Sequence, residues 1–271
     1  RPRKQKGIMR IFSKKIHKRV EQDNVVEVTE VDGVRQLHLG SKTVQSGMLV
    51  ASPLVLVFNY SRAIMYFLLF SEHVKSVLTV GLGGGSVTKY IHGYCPDIRQ
   101  TVVEINQQVI DIAKTHFFLP ENDDRLDVIK GDGIRYMEDY PDSHDCLIVD
   151  GFDADGIPDG FCTPDFFDKC YNVLHDRGIF VINLWGSDKN FDIYLQRIEQ
   201  VFIGRVLVLP TGKPGNIIVF GFKDPVKLTE KKLKARAAML NQQHIINFTE
   251  FLDKLHSQNG YQKLYQIFES L

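Results

Sequence analysis

The feature that most constrains this chain is the run Val77-Leu78-Thr79-Val80 followed by Gly81-Leu82-Gly83-Gly84-Gly85-Ser86. An apolar β-type segment running into a glycine-rich turn and then a helical stretch forces the backbone to reverse sharply and come close to whatever sits above the strand. The same rhythm repeats downstream. Apolar runs recur at 101–103, 126–129, 146–149 and 179–184, most of them separated by amphipathic polar stretches. This pattern predicts a parallel sheet covered by helices. Val206–Leu209 and Ile217–Phe222 are joined by a short Pro/Gly segment, too short for a parallel crossover, so the sheet is expected to end in an antiparallel pair.

Other elements frame this α/β domain, assigned to 76–225. Val25 to Val31 alternates and is rich in β-branched residues, Asp32-Gly33 is a hairpin dipeptide, and Arg35 to Leu39 alternates again. Residues 21–75 are therefore a small N-terminal β-domain with a linking helix over 60–73. Residues 226–271 read as a C-terminal helical extension of two amphipathic helices. Residues 1–20 carry nine basic side chains and no acid, and read as a basic leader, a solvated or partly docked arm with a weak helical stripe of Ile8, Ile11, Phe12 and Ile16.

Overall charge is balanced at 33 Lys+Arg against 33 Asp+Glu, so the remainder is acidic, with 24 basic against 33 acidic residues. That argues against a nucleic-acid-binding body and favours a cationic ligand. Four cysteines without a C-x-x-C spacing read as reduced thiols in a cytoplasmic protein. Met48 to Phe70 holds a single charge, Arg62, but Pro53 and Asn59-Tyr60-Ser61 interrupt it, which fits a turn between buried elements rather than a membrane span. The histidines show no metal-ligand spacing, and no Gly-x-Ser-x-Gly elbow is present.

Ligands of open parallel sheets bind at the carboxyl ends of the strands. Those ends carry the glycine turn (Gly81, Gly83, Gly85), Glu104, Asp132-Gly133 and Asp150. A carboxylate at the second strand end can accept hydrogen bonds from both ribose hydroxyls. Each Asp also has a plain structural use as a helix cap or Asx-turn. A nicotinamide cofactor and an adenosyl-sulfonium ligand both fit the first half of the pattern. Ser86 in place of the third fingerprint glycine, the acid at the third strand and the terminal antiparallel pair favour the second. Trp185 ends the fifth strand, as core or as a cavity wall.

These motifs, together with Val103-Glu104-Ile105, Gly131-Asp132-Gly133 and Val149-Asp150-Gly151-Phe152-Asp153, resemble the spermidine synthase family of aminopropyltransferases, from about the hairpin to Phe222. The resemblance implies a Rossmann-like, S-adenosylmethionine-methyltransferase-type sheet and aminopropyl transfer from decarboxylated S-adenosylmethionine to a diamine such as putrescine, with no metal. It implies Asp150 as general base, Asp153 as a second carboxylate on the amine, Glu104 and Asp132 as ribose and adenine contacts, Gln45 on the donor and Tyr60 beside the acceptor. It also implies a homodimer. Two positions depart from the family pattern. Gly84 stands where the family has an acid on the donor's terminal amine, and Tyr60-Ser61-Arg62 replaces Tyr-His-Glu, so Arg62 is expected to disfavour a diamine if it faces the site. The competing readings are an S-adenosylmethionine-dependent small-molecule methyltransferase and a non-catalytic nucleoside-binding relative.

Overall fold

The computed structural model describes residues 13–21, 24–151, 156–158, 160–212 and 215–270. Four antiparallel strands open the chain: β1 (Lys14–Glu21), β2 (Asn24–Val31), β3 (Val34–Leu39) and β4 (Val44–Leu49), paired in that order. Asp32 and Gly33 both take positive φ (50° and 76°), the geometry that lets a two-residue turn follow the strand twist. Val26, Val28, Leu37 and Met48 form the buried side of this sheet, against Ile112 and Phe117.

One expectation is corrected here. Residues 14–20, read as part of a basic leader, are the edge strand β1. Lys18 pairs with Glu27 in register, and Lys15 forms an ion pair with Glu27 at 3.3 Å. A basic strand against an acidic neighbour satisfies both charge sets, and lysines on an edge discourage pairing with other chains. Residues 1–12 of the proposed leader lie outside the described residues.

Short helices α1 (Asn59–Ile64) and α2 (Phe67–Phe70) carry the chain into the main sheet. There the elements are β5 (Ser76–Val80), α3 (Ser86–Tyr94), β6 (Arg99–Glu104), α4 (Gln107–His116), β7 (Leu126–Lys130), α5 (Gly133–Asp139), β8 (His144–Val149), α6 (Pro164–Asn172), β9 (Leu174–Trp185), α7 (Phe191–Val201), β10 (Val206–Pro210) and β11 (Asn216–Phe222). The strand order is β10-β11-β9-β8-β5-β6-β7. Strands β9, β8, β5, β6 and β7 are parallel, and β11 runs antiparallel to both β9 and β10, as the short connection predicts. The order reverses between β5 and β8, which opens a crevice at their carboxyl ends.

The C-terminal segment adds β12 (Val226–Thr229), α8 (Glu230–Gln243), α9 (Phe248–Ile267, broken at Gly260 with φ 68°) and β13 (Phe268–Ser270). The parallel β12–β13 pair was not readable in the sequence. Leu233, Ala237, Leu240, Phe251, Leu252 and Leu255 pack with α1, α2 and the outer face of β9 and β11 in one core. A second core lies on the opposite face, between the sheet and α6 and α7. Register then decides where chemistry sits. Val80 pairs with Val103 and Val149, and Val149 with Ile182, so the next residues, Gly81, Glu104, Asp150 and Asn183, lie at one level across the sheet.

Candidate active site

A cavity of about 1190 Å³ opens at that level, between the N-terminal sheet and the carboxyl ends of β5, β6, β8 and β9. Gln45, Tyr60, Gly81, Gly83, Glu104, Asp132, Gly133 and Asp150 all line it. Gly81 has φ +97°, and a Cβ there would stand 2.4 Å from the Asp150 carbonyl oxygen, so the turn passes directly over the end of β8. Gly85 does not line the cavity. It sits in the left-handed region (φ 70°) as the N-cap of α3, where its job is to turn the chain.

Glu104 is buried, and its carboxylate ties two loops together. Oε2 accepts the Leu82 amide at 2.9 Å and Oε1 the Asn106 amide at 2.9 Å. Burial raises its pKa, opposed by backbone N–H groups of Leu82, Asn106 and Ile105. Asp132 caps α5, its Oδ1 accepting from Ile134 and Arg135 amides at 2.8 and 3.4 Å, the plain use the sequence allowed, while the residue also lines the cavity.

Asp150 is the chemically poised group. It is partly buried at the cavity wall, and that burial pushes its carboxyl up to about 6, with the Asn183 hydrogen bond (Nδ2 to Oδ1, 2.9 Å) pulling the other way. A carboxylate held there can take a proton near neutral pH. Tyr60 donates its hydroxyl to the Gln45 carbonyl at 2.9 Å, and burial first, then the charge of Asp150, push its phenol well above the ordinary value. Tyr60 is therefore a neutral hydrogen-bonding wall beside Asp150, stacked on Phe58 at 5.8 Å. Asp153 lies outside the described residues.

Arg62 does not reach the cavity. Nε donates to the Leu56 carbonyl at 2.8 Å, one terminal nitrogen to the Val57 carbonyl at 3.1 Å and the other to Asn59 Oδ1 at 3.3 Å. The condition under which Arg62 would disfavour a diamine is therefore not met: its guanidinium is held by the loop before α1 and the start of that helix. Glu72, the acid just after α2, pairs with Arg236 at 2.9 Å. At Gly84, a Cβ would meet Ser46 Oγ at 2.8 Å and the Phe117 ring at 3.0 Å, so those neighbours take the room an acidic side chain needs.

Several lining residues escaped the sequence reading: Ser46, Phe58, Gln108, Phe161, Asn183 and Asn216, with Trp185 now placed on the wall. Asn183 had a readable signal, being the one polar residue within the apolar run 179–184, where it must find a buried partner. Among the described residues no group of three or more His, Cys, Asp or Glu could hold a metal ion, and no helix is long and apolar enough to cross a membrane.

Residues 57–220, from just before α1 nearly to the end of β11, match the family model described as the spermine/spermidine synthase domain. The chain is 40% identical over 252 residues to a polyamine aminopropyltransferase of Chromobacterium violaceum, covering 93% of this chain and 97% of that one. Its fold is similar to a crystal structure of spermidine synthase in complex with the transition-state analogue AdoDATO, with a TM-score of 0.74, 17% identity and coverage of 93% and 89% of the two chains. It is also similar to human methyltransferase-like protein 13 in complex with SAH, with a TM-score of 0.62, 25% identity and coverage of 68% and 91%. Kinship of that extent, carried through the strands that build the cavity, makes this chain a transferase belonging to the spermine/spermidine synthase family.

Proposed function

We propose that this chain transfers the aminopropyl group of decarboxylated S-adenosylmethionine to a small diamine such as putrescine, giving spermidine and methylthioadenosine. The observation that carries the reading is Asp150, a carboxylate pushed up to about 6, in one cavity with the glycine turn and Glu104. The described lining holds three carboxylates (Glu104, Asp132, Asp150) and one lysine (Lys130), a balance that suits a cationic donor and a cationic acceptor.

The donor's nucleoside would lie over Gly81 and Gly83, its ribose at Glu104 and its base towards Asp132. An acceptor amine arrives protonated and cannot attack. Asp150 takes one proton from it, the freed nitrogen lone pair forms a bond to the carbon beside the sulfonium, and the carbon–sulfur bond breaks with its electrons going to sulfur. The leaving group is a neutral thioether. Tyr60, neutral and fixed on the Gln45 carbonyl, and Trp185 wall the reacting centre from water. Asp153 is proposed as a second carboxylate on the amine.

The test is turnover with decarboxylated S-adenosylmethionine and a panel of amines, reading methylthioadenosine release and product mass together. A product heavier by one aminopropyl group names the acceptor. Asp150→Asn is expected to abolish turnover and to leave the fold at least as stable at pH 7, since it removes a charge held away from water. Full activity in that variant refutes the mechanism. The similarity to a methyltransferase structure gives methyl transfer as the second reading. The same assay with intact S-adenosylmethionine decides it, by the appearance of S-adenosylhomocysteine.

A further inference from the structure

The cavity floor carries a polar chain drawn from three neighbouring strands. Asp150 follows β8, Asn183 lies in β9 and Asn216 opens β11. Asn183 pairs with Ile218 across the sheet, which makes Asn216 its diagonal neighbour on the same face. Asn183 Nδ2 donates to Asp150 Oδ1 at 2.9 Å, and Asn216 Nδ2 donates to Asn183 Oδ1 at 2.9 Å. Both asparagines are 3% exposed.

The charge of Asp150 sets the direction of this chain. An ionised carboxylate only accepts, so Asn183 must turn its NH2 towards it. The Asn183 oxygen then points to Asn216, which must answer with its own NH2. What remains is Asn216 Oδ1, buried and without a hydrogen-bond partner among the described residues. A buried amide oxygen with no donor costs desolvation free energy and gains nothing in return, whereas a leucine in the same place would carry no such cost. Packing alone does not explain an asparagine here.

We propose that Asn216 is a positioning residue for the transfer reaction: by holding Asn183 Oδ1 it fixes the Asn183 amide with its NH2 on Asp150 Oδ1, leaving Asp150 Oδ2 to meet the acceptor amine and take its proton. This rests on the reading of Asp150 as the base. Without Asn216, the Asn183 amide can turn over and bring its oxygen against the carboxylate, which removes a donor and adds a repulsion. Asp150 then holds its proton more tightly. The other titratable groups lining the same cavity are Tyr60 of α1, Glu104 of β6, Lys130 of β7 and Asp132 before α5; Tyr60 stays neutral, and the charged three are unchanged in every variant compared, so their effect on Asp150 cancels in the difference.

The experiment compares wild type, Asn216→Leu, Asn216→Asp and Asp150→Asn by thermal melting and by the pH profile of kcat/KM with decarboxylated S-adenosylmethionine and putrescine. Asn216→Leu is expected to melt at the same temperature or higher, while its acid limb moves up by about one pH unit, the scale of one hydrogen bond to a charged group. Asn216→Asp, which sets an acceptor against Asn183 Oδ1, is expected to lose more kcat than the leucine variant. An unmoved acid limb together with a lower melting temperature would make Asn216 a packing residue and overturn the proposal. Should the leucine variant not fold, Asn216→Ala carries the same reading: an upward shift supports the proposal and an unmoved limb overturns it. An inactive Asp150→Asn with an unmoved limb at position 216 overturns this proposal alone. A fully active Asp150→Asn removes the base, and this proposal with it.

Discussion

Lys89 of α3 is 2% exposed at the junction of the N-terminal sheet with α3 and α4. Its ammonium donates to the Phe117 carbonyl at 2.6 Å and lies 3.0 Å from Met48 Sδ, and no carboxylate pairs with it among the described residues. Burial lowers its pKa from 10.5 to about 8. That difference corresponds to about 3 kcal/mol by which the folded state disfavours the charged form. The sign is that of a depressed lysine. Below about pH 8 both states carry the proton and the destabilisation is fully present. Between about 8 and 10.5 the unfolded chain binds more protons than the folded one, so stability rises with pH. Lys89→Met replaces the ammonium by a side chain of similar length beside Met48 and Phe117, at the cost of leaving the Phe117 carbonyl short of a donor, about 1 kcal/mol. The variant is expected to be about 1–3 kcal/mol more stable at pH 7, and its advantage to shrink steadily as pH rises towards 10.5. Urea unfolding of both proteins at matched pH values from 7 to about 10.5 reads this directly, because other titrations cancel in the difference. A stability difference that stays constant over that range would refute the reasoning, since the buried charge would then not be titrating where the burial places it.

Two further outcomes follow from the site. Gly81→Ala places a Cβ against the Asp150 carbonyl on a backbone with φ +97°, so thermal melting should show a loss of about 2 kcal/mol or more, and turnover should fall further than the folded fraction does. Arg62→Ala removes the donor to the Leu56 and Val57 carbonyls and should cost about 1–3 kcal/mol of stability while leaving the diamine KM unchanged; a marked drop in KM would show that the guanidinium charge reaches the acceptor after all.

What could be read in the sequence is what one short stretch determines by itself. The Gly81 turn, the acid at position 104 and the Asp32-Gly33 hairpin are local statements, fixed by sterics or by position at a strand end, and the fold repeats them. Strand β1 was hidden because its register shifts between Lys15 and His17, which breaks the two-residue alternation, and because charged side chains rather than apolar ones fill most of it. Its stability comes from β2, not from its own pattern. Strands β12 and β13 are four and three residues long and depend on each other across forty positions, too little for any periodicity to show. The chain of Asp150, Asn183 and Asn216 is likewise invisible in one dimension, because each link spans 33 residues.

Side-chain direction is the other quantity a sequence withholds, and here it changes the chemistry. The sequence shows an arginine where the family pattern has an acid, and a glycine where it has another, which together suggest a site turned from anionic to cationic. The fold separates the two changes. Arg62 is consumed by the carbonyls of the loop that carries it, so its charge is held outside the cavity wall. The space beside Gly84 belongs to Ser46 and Phe117, so that corner is uncharged rather than positive. Two carboxylates are lost, but no cation is gained, and Asp150 keeps its position and its raised affinity for a proton. A neutral hydroxyl and a displaced guanidinium weaken attraction for a dication without repelling it. On this arrangement an amine acceptor remains compatible with the site, and the mechanism proposed above lets its recognition fall more heavily on Asp150, which Asn183 and Asn216 hold by hydrogen bonds.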